Sequence, residues 1–216
     1  MTTPESAPSV LPARVVPVLL ALPALALGAA GLLHPDHLTY DTSYRWFALH
    51  VPGVLVFPLV AAAPWWLVRG RRDVVAWVVR LTAYGYATFY TALDVISGVG
   101  AGWVTHELGP GVPRPEAVSR MFTIGTPLGK VGSWSLLVCV VVLAIDQVVR
   151  RGVRAWPVLL VVVGAALVHW FHIFAPWGVL GMALLGVGSG LAASGFVRDV
   201  SGPVKFVADD VQPRRR

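Results

Sequence analysis

Long apolar runs separated by short polar and basic clusters set the pattern of this chain. The first run, VVPVLLALPALALGAAGLL at about 15–33, carries no charged side chain. At 1.5 Å per residue it is long enough to cross a hydrocarbon core roughly 30 Å thick. Its small residues from Ala24 to Ala30 also resemble a signal-peptide cleavage region, but the run is longer than a signal core and only Arg14 precedes it, which favours a retained helix. A second helix is expected at about 46–68, kinked at Pro52, Pro58 and Pro64 and closed by the basic cluster Arg69, Arg71 and Arg72. Between the two lies a polar connector, residues 34–45.

A third helix, about 74–97, is less purely apolar. Tyr86, Tyr90, Asp94 and Ser97 follow one another at spacings of three and four, so they share one face that must turn toward other helices or a cavity rather than lipid. Residues 98–130 are rich in Gly and Pro and predict a long outer loop, with 115–124 as a short amphipathic helix at the interface. Three further helices follow at about 131–149, 155–175 and 177–197. In the last, Gly186 and Gly190 form a small-xxx-small face suited to close packing. The expected architecture is therefore all-α: a polytopic membrane protein with one six-helix transmembrane domain, 13–198. It is flanked by a disordered cytoplasmic tail, 1–12, and a basic cytoplasmic tail, 199–216.

Composition supports the membrane reading. The chain is 56% hydrophobic and 13% charged, whereas soluble domains carry about a quarter charged residues. The net charge of +6 does not imply a nucleic-acid partner, because the basic residues sit in clusters between apolar runs. They orient the chain instead. With the amino terminus inside, Arg14, Arg69, Arg71, Arg72, Arg80, Arg150, Arg151, Arg154, Arg198, Lys205, Arg214, Arg215 and Arg216 fall on the inner side, against Arg45, Arg114, Arg120 and Lys130 outside. That bias places both termini in the cytoplasm of a cell-membrane protein whose first partner is the bilayer. The lone cysteine, Cys139, excludes an intrachain disulfide and a CxxC centre.

On this topology all six histidines fall on the outer side. His34 and His37 follow helix one, His50 begins helix two, His106 lies in the long loop, and His169 and His172 end helix five. Spaced i, i+3, His169 and His172 share a helix face. Asp94 ends at similar depth from helix three, and a carboxylate in lipid is costly unless paired or metal-bound. His50, Asp94, His169 and His172, with His34 completing or replacing one of them, make a candidate ligand set for zinc or another divalent transition metal. Tyr86, Tyr90 and Ser97 are candidates to orient ligands or substrate, and Trp46, Trp103, Trp170 and Trp177 form an aromatic belt or wall a cavity.

Three classes of function stay open. One is a metal-dependent membrane enzyme, hydrolase-like and acting on a lipid or other amphipathic substrate, with Asp94 as ligand or general base. As an arrangement of site, His50, Asp94, Ser97, His169 and His172 resemble the alkaline ceramidase and adiponectin-receptor superfamily, multi-helix hydrolases with a histidine-held zinc near one membrane face. This chain differs from that family in having six expected helices rather than seven and HxxH rather than HxxxH. The second class is a single-haem redox protein with axial ligands from His50, His169 or His172. The third is a non-enzymatic metal-handling, scaffold or transporter-subunit protein.

Overall fold

The structure, a computed structural model, describes residues 15–201; the two expected tails lie outside the described residues apart from 199–201, which continue the last helix. No strand occurs among the described residues. In chain order the helices are α1 (Val15–Leu33), α2 (Tyr40–Leu59), α3 (Ala62–Leu67), α4 (Val74–Leu93), α5 (Ala101–Glu107), α6 (Glu116–Arg151), α7 (Pro157–Phe171) and α8 (Trp177–Ser201). A π-helical segment, Asp94–Gly100, joins α4 to α5, and a 3₁₀ turn, Gly152–Ala155, joins α6 to α7.

Four stretches among the described residues are long and apolar enough to cross a membrane: Val15–Leu33, Tyr40–Leu67, Glu116–Ala155 and Trp177–Val197. α7 is a shorter apolar helix. The outward-facing side chains are those of a membrane-type protein: Leu22, Leu55, Leu81, Ile145 and Val149 are all exposed. Inside, Phe57, Tyr86, Leu136, Leu143, Met182 and Leu185 form one continuous core.

Local signals start and stop the helices as their chemistry requires. The Asp73 carboxylate accepts the Ala76 N–H at 3.0 Å and caps α4. Pro157 opens α7, where its missing N–H costs nothing. α6 ends at Gly152, whose φ of 56° is open to glycine but strained for other residues. Close packing follows from glycine as expected: a side chain at Gly186 would come within 2.9 Å of the Ala21 carbonyl, so α8 and α1 meet backbone to backbone.

Two expectations change. The stretch 98–130, read as a long loop, is helical except for 108–115. Gly98, Gly102, Gly125 and Gly129 are contact points rather than breaks, Gly102 packing against the backbone of Phe47 on α2, whereas Gly109 and Gly111 take positive φ in the turn. The expected second helix is two, because Pro58 and Pro64 cannot donate backbone hydrogen bonds and the chain turns at 60–61 between α2 and α3. It also begins earlier than 46, at Tyr40, where Thr42 Oγ1 accepts the Thr39 N–H at 2.9 Å.

Candidate functional site

At one end of the bundle, opposite the arginine clusters, α2, the π-helical segment, α6 and the end of α7 enclose a cavity of about 410 Å³. Aromatic and aliphatic side chains make most of its wall, including Trp46, Leu93, Phe122, Val168 and Phe174. His50, Tyr90, Asp94, Ser97, Lys130, Ser133, His169 and His172 supply its polar groups.

The π-helical segment sets the geometry. One extra residue per turn shifts the side chains that follow, and such segments are rare outside functional sites. Here it carries Asp94, Ser97 and Gly98. Gly98 lies directly against the His50 ring, and a Cβ at Gly53 would stand 2.9 Å from Asp94 Oδ2. Both glycines let α2 and the π-helical segment close on one another until His50 and Asp94 meet. Trp46 holds this crossing, its Nε1–H donating to the Ser97 carbonyl at 3.0 Å.

His34, buried just past α1, reaches the same point. Its Nδ1 lies 2.8 Å from the Pro35 carbonyl, and His50 Nδ1 lies 2.6 Å from the Trp46 carbonyl. A carbonyl only accepts, so both Nδ1 atoms carry the proton and, in the neutral rings, both Nε2 atoms present lone pairs. Those Nε2 atoms face each other at 3.5 Å, and Asp94 Oδ1 is 3.9 Å from His50 Nε2. Among the described residues neither Asp94 oxygen has a hydrogen-bond partner, although the residue is only 2% exposed. Burial and the neighbouring Arg45 hold the His34 imidazole below its ordinary 6.5, against the opposing pull of the Pro35 bond and Asp36; burial is the largest influence. With Asp94 as the carboxylate, the His50 lone pair thus faces an acceptor on each side, His34 Nε2 and Asp94 Oδ1.

His172 approaches from another side. α7 ends at Phe171, and His172 takes a left-handed φ of 53°, a conformation that costs a non-glycine residue about 1–3 kcal/mol. That turn places its Nδ1 2.6 Å from the Tyr90 hydroxyl and its ring 6.4 Å from that of His34. His169, still helical, points elsewhere: its Nδ1 meets Ser133 Oγ at 2.8 Å and its ring lies against Trp134. The i, i+3 pair is therefore split between two parts of the cavity.

Of the remaining expected residues, Ser97 lines the cavity and its hydroxyl lies 3.4 Å from the Met121 carbonyl. Tyr86 sits one turn below Tyr90, its ring 5.1 Å away and its buried hydroxyl without a partner. Trp46 and the more exposed Trp170 line the cavity, whereas the exposed Trp103 and Trp177 do not. His106 belongs to a separate cluster with Tyr40, Tyr44 and Ser43. Ser133, Lys130, Gly53 and Gly98 were not singled out from sequence. For Gly53 the available signal was its place three residues after His50, and for Gly98 its place four residues after Asp94.

Among the described residues, no three His, Cys, Asp or Glu side chains already stand around a common point that a metal ion would occupy. The chain matches no protein-family model, no curated protein and no solved structure.

Proposed function

We propose that the chain is a multi-pass membrane protein with a metal-dependent, hydrolase-like site at its histidine end, acting on an amphipathic or lipid substrate. In this reading six segments cross the bilayer: α1, α2 with α3, α4 with its π-helical extension, α6, α7 and α8. The gathering of Arg69, Arg71, Arg72, Arg150, Arg151 and Arg154 at the end opposite the histidines favours a cytoplasmic arginine end, with both termini on that side.

One observation supports the site: His50 Nε2 stands between His34 Nε2 and the Asp94 carboxylate, whose oxygens have no hydrogen-bond partner among the described residues. Such a junction is unfavourable unless a cation occupies it. Two ligands about 2.05 Å from a tetrahedral ion lie about 3.4 Å apart, close to the 3.5 and 3.9 Å separations found here. The Nδ1 bonds to backbone carbonyls are the means by which metal-ligating histidines are commonly oriented. His172, braced by Tyr90, is the fourth group within reach.

A divalent ion held there supplies Lewis acidity toward a substrate carbonyl or phosphoryl oxygen and acidifies water. Asp94 would help to hold the ion or would serve as the general base that takes a proton from water. Ser97 donates to the substrate from the wall, and the aromatic lining holds its apolar part. The runner-up, a single haem with an axial ligand from His50, His169 or His172, would have to leave His34 where it stands, with its ring edge-on to that of His50 and the centroids 5.0 Å apart.

Protein purified without chelator is expected to hold about one zinc or other first-row divalent ion per chain, with His50→Gln and Asp94→Asn holding none while keeping their helical circular dichroism. A proton shared by His34 and His50 beside an ionised Asp94 is the competing account of the same junction. Failure of the wild type to retain any ion at micromolar zinc would favour that account and overturn the metal reading. Metal-dependent hydrolysis of an amphipathic ester or amide separates an enzyme from a metal-handling protein.

A further inference from the structure

The cavity has a second pole of opposite character. Phe122, Thr126, Lys130 and Ser133 form one stripe of α6 along its wall. Among the described residues no carboxylate lies within ion-pair reach of the Lys130 ammonium, whose neighbour is the Trp170 face at 5.9 Å. Ser133 Oγ lies between the Lys130 carbonyl, at 3.1 Å, and His169 Nδ1, at 2.8 Å. If Ser133 donates to the carbonyl, His169 Nδ1–H donates to Ser133. If Ser133 donates to His169, the ring proton is on Nε2. In either state a free cation and an imidazole–hydroxyl pair stand at the mouth, facing a junction made only of acceptors. Trp170 and Phe171, exposed at 71% and 42%, flank that mouth.

We propose that this pole binds an anionic group, phosphate or carboxylate, on the amphipathic molecule that the cavity receives. Lys130 supplies the charge, His169 and Ser133 supply hydrogen bonds, and Trp170 and Phe171 lie along the apolar portion. This assignment rests on the amphipathic-substrate reading but not on a bound metal. It gives His169 a role separate from the His34, His50 and Asp94 junction: it positions the ligand instead of holding an ion. The same anion chemistry is offered by a lipid-like headgroup and by free phosphate.

Calorimetry on the full chain in neutral detergent, with metal stripped, tests the assignment with hexyl phosphate, inorganic phosphate and hexyltrimethylammonium as probes. Hexyl phosphate is expected to bind best. Lys130→Ala is expected to weaken it about tenfold and Ser133→Ala about threefold. Lys130 is exposed, so its replacement leaves the packing untouched. Asp94→Asn is expected to retain the binding even though it abolishes metal uptake, so a failed metal reading leaves this result standing. Equal binding of the cationic amphiphile, or unchanged affinity in Lys130→Ala, would overturn the proposal and leave Lys130 and Trp170 as interfacial anchors. Inorganic phosphate binding as tightly as hexyl phosphate would overturn its amphiphile part.

Discussion

Asp94 and Asp146 are both aspartates buried within apolar helices of the same bundle, yet their surroundings are opposite. Asp146, on α6, accepts from Arg71 at 2.6 and 3.0 Å and from Arg150 Nε at 2.8 Å. Arg71 in turn bonds Asp73 with 2.9 Å contacts, and Arg80 donates to the Val68 and Arg71 carbonyls. Every charge in that network has a partner, and together they staple the 68–73 connector to α6. Among the described residues Asp94 has no hydrogen-bond donor, and it faces the His50 lone pair at 3.9 Å. A carboxylate buried among cations is a fastening, whereas one buried among acceptors leaves a place for something that the polypeptide does not itself supply.

Replacement of the two residues should separate these roles. Asp146→Asn removes the charge that balances Arg71 and is expected to lower unfolding free energy by about 2–3 kcal/mol, less than for a fully buried pair because Arg71 is partly exposed. Denaturation in detergent measures it, and a neutral result would mean that the network is ornamental. Gly98→Ala drives a methyl group into the His50 ring at a backbone crossing that cannot open freely. A cost of about 1–2 kcal/mol is expected, together with loss of metal uptake.

Asp94→Asn should do the reverse of Asp146→Asn. It replaces an unpaired buried carboxyl and offers an amide donor to His50 Nε2, so the melting temperature is expected to hold or rise while metal uptake disappears. Large destabilisation by this variant would erase the contrast between the two aspartates. The smallest expected effect lies at Asp73, whose carboxyl drops from 3.8 to about 2, first through the Arg71 hydrogen bonds and then through the Ala76 N–H. A depressed value in the folded state means that its stabilisation is complete above about pH 4 and is lost as pH falls toward 2. Asp73→Asn, which keeps a competent cap, should flatten that part of the melting-temperature profile.

Apolar run length made most of the helical framework readable from sequence, because a lipid-facing helix leaves few alternatives. The segment from 98 to 130 was not readable. Gly98, Gly102, Gly125 and Gly129 lower intrinsic helix propensity, and tertiary contacts explain their presence: Gly98 and Gly102 admit His50 and Phe47 of α2, and Gly125 and Gly129 admit Ser97 and Leu93. Within the site, His50 lies 3.5 Å from His34 and 3.9 Å from Asp94, residues of three different elements that sequence could place only at a common depth. The pairing of His169 with His172 does not survive, since it assumed a regular helix through both and α7 ends between them. Helical spacing carries no information about a left-handed residue. Ser133 gave no signal either, because one serine in an apolar run usually bonds its own helix, and its second contact, to His169, depends on how α6 and α7 pack.

The most direct test of the junction is zinc K-edge X-ray absorption on wild-type protein loaded with a single equivalent of zinc. Imidazole scattering from at least two histidines, with an oxygen ligand at about 2.0–2.2 Å, is expected, and the imidazole signal should fall in His50→Gln. An all-oxygen sphere, or zinc that washes away before the measurement, would contradict a metal centre at His34, His50 and Asp94.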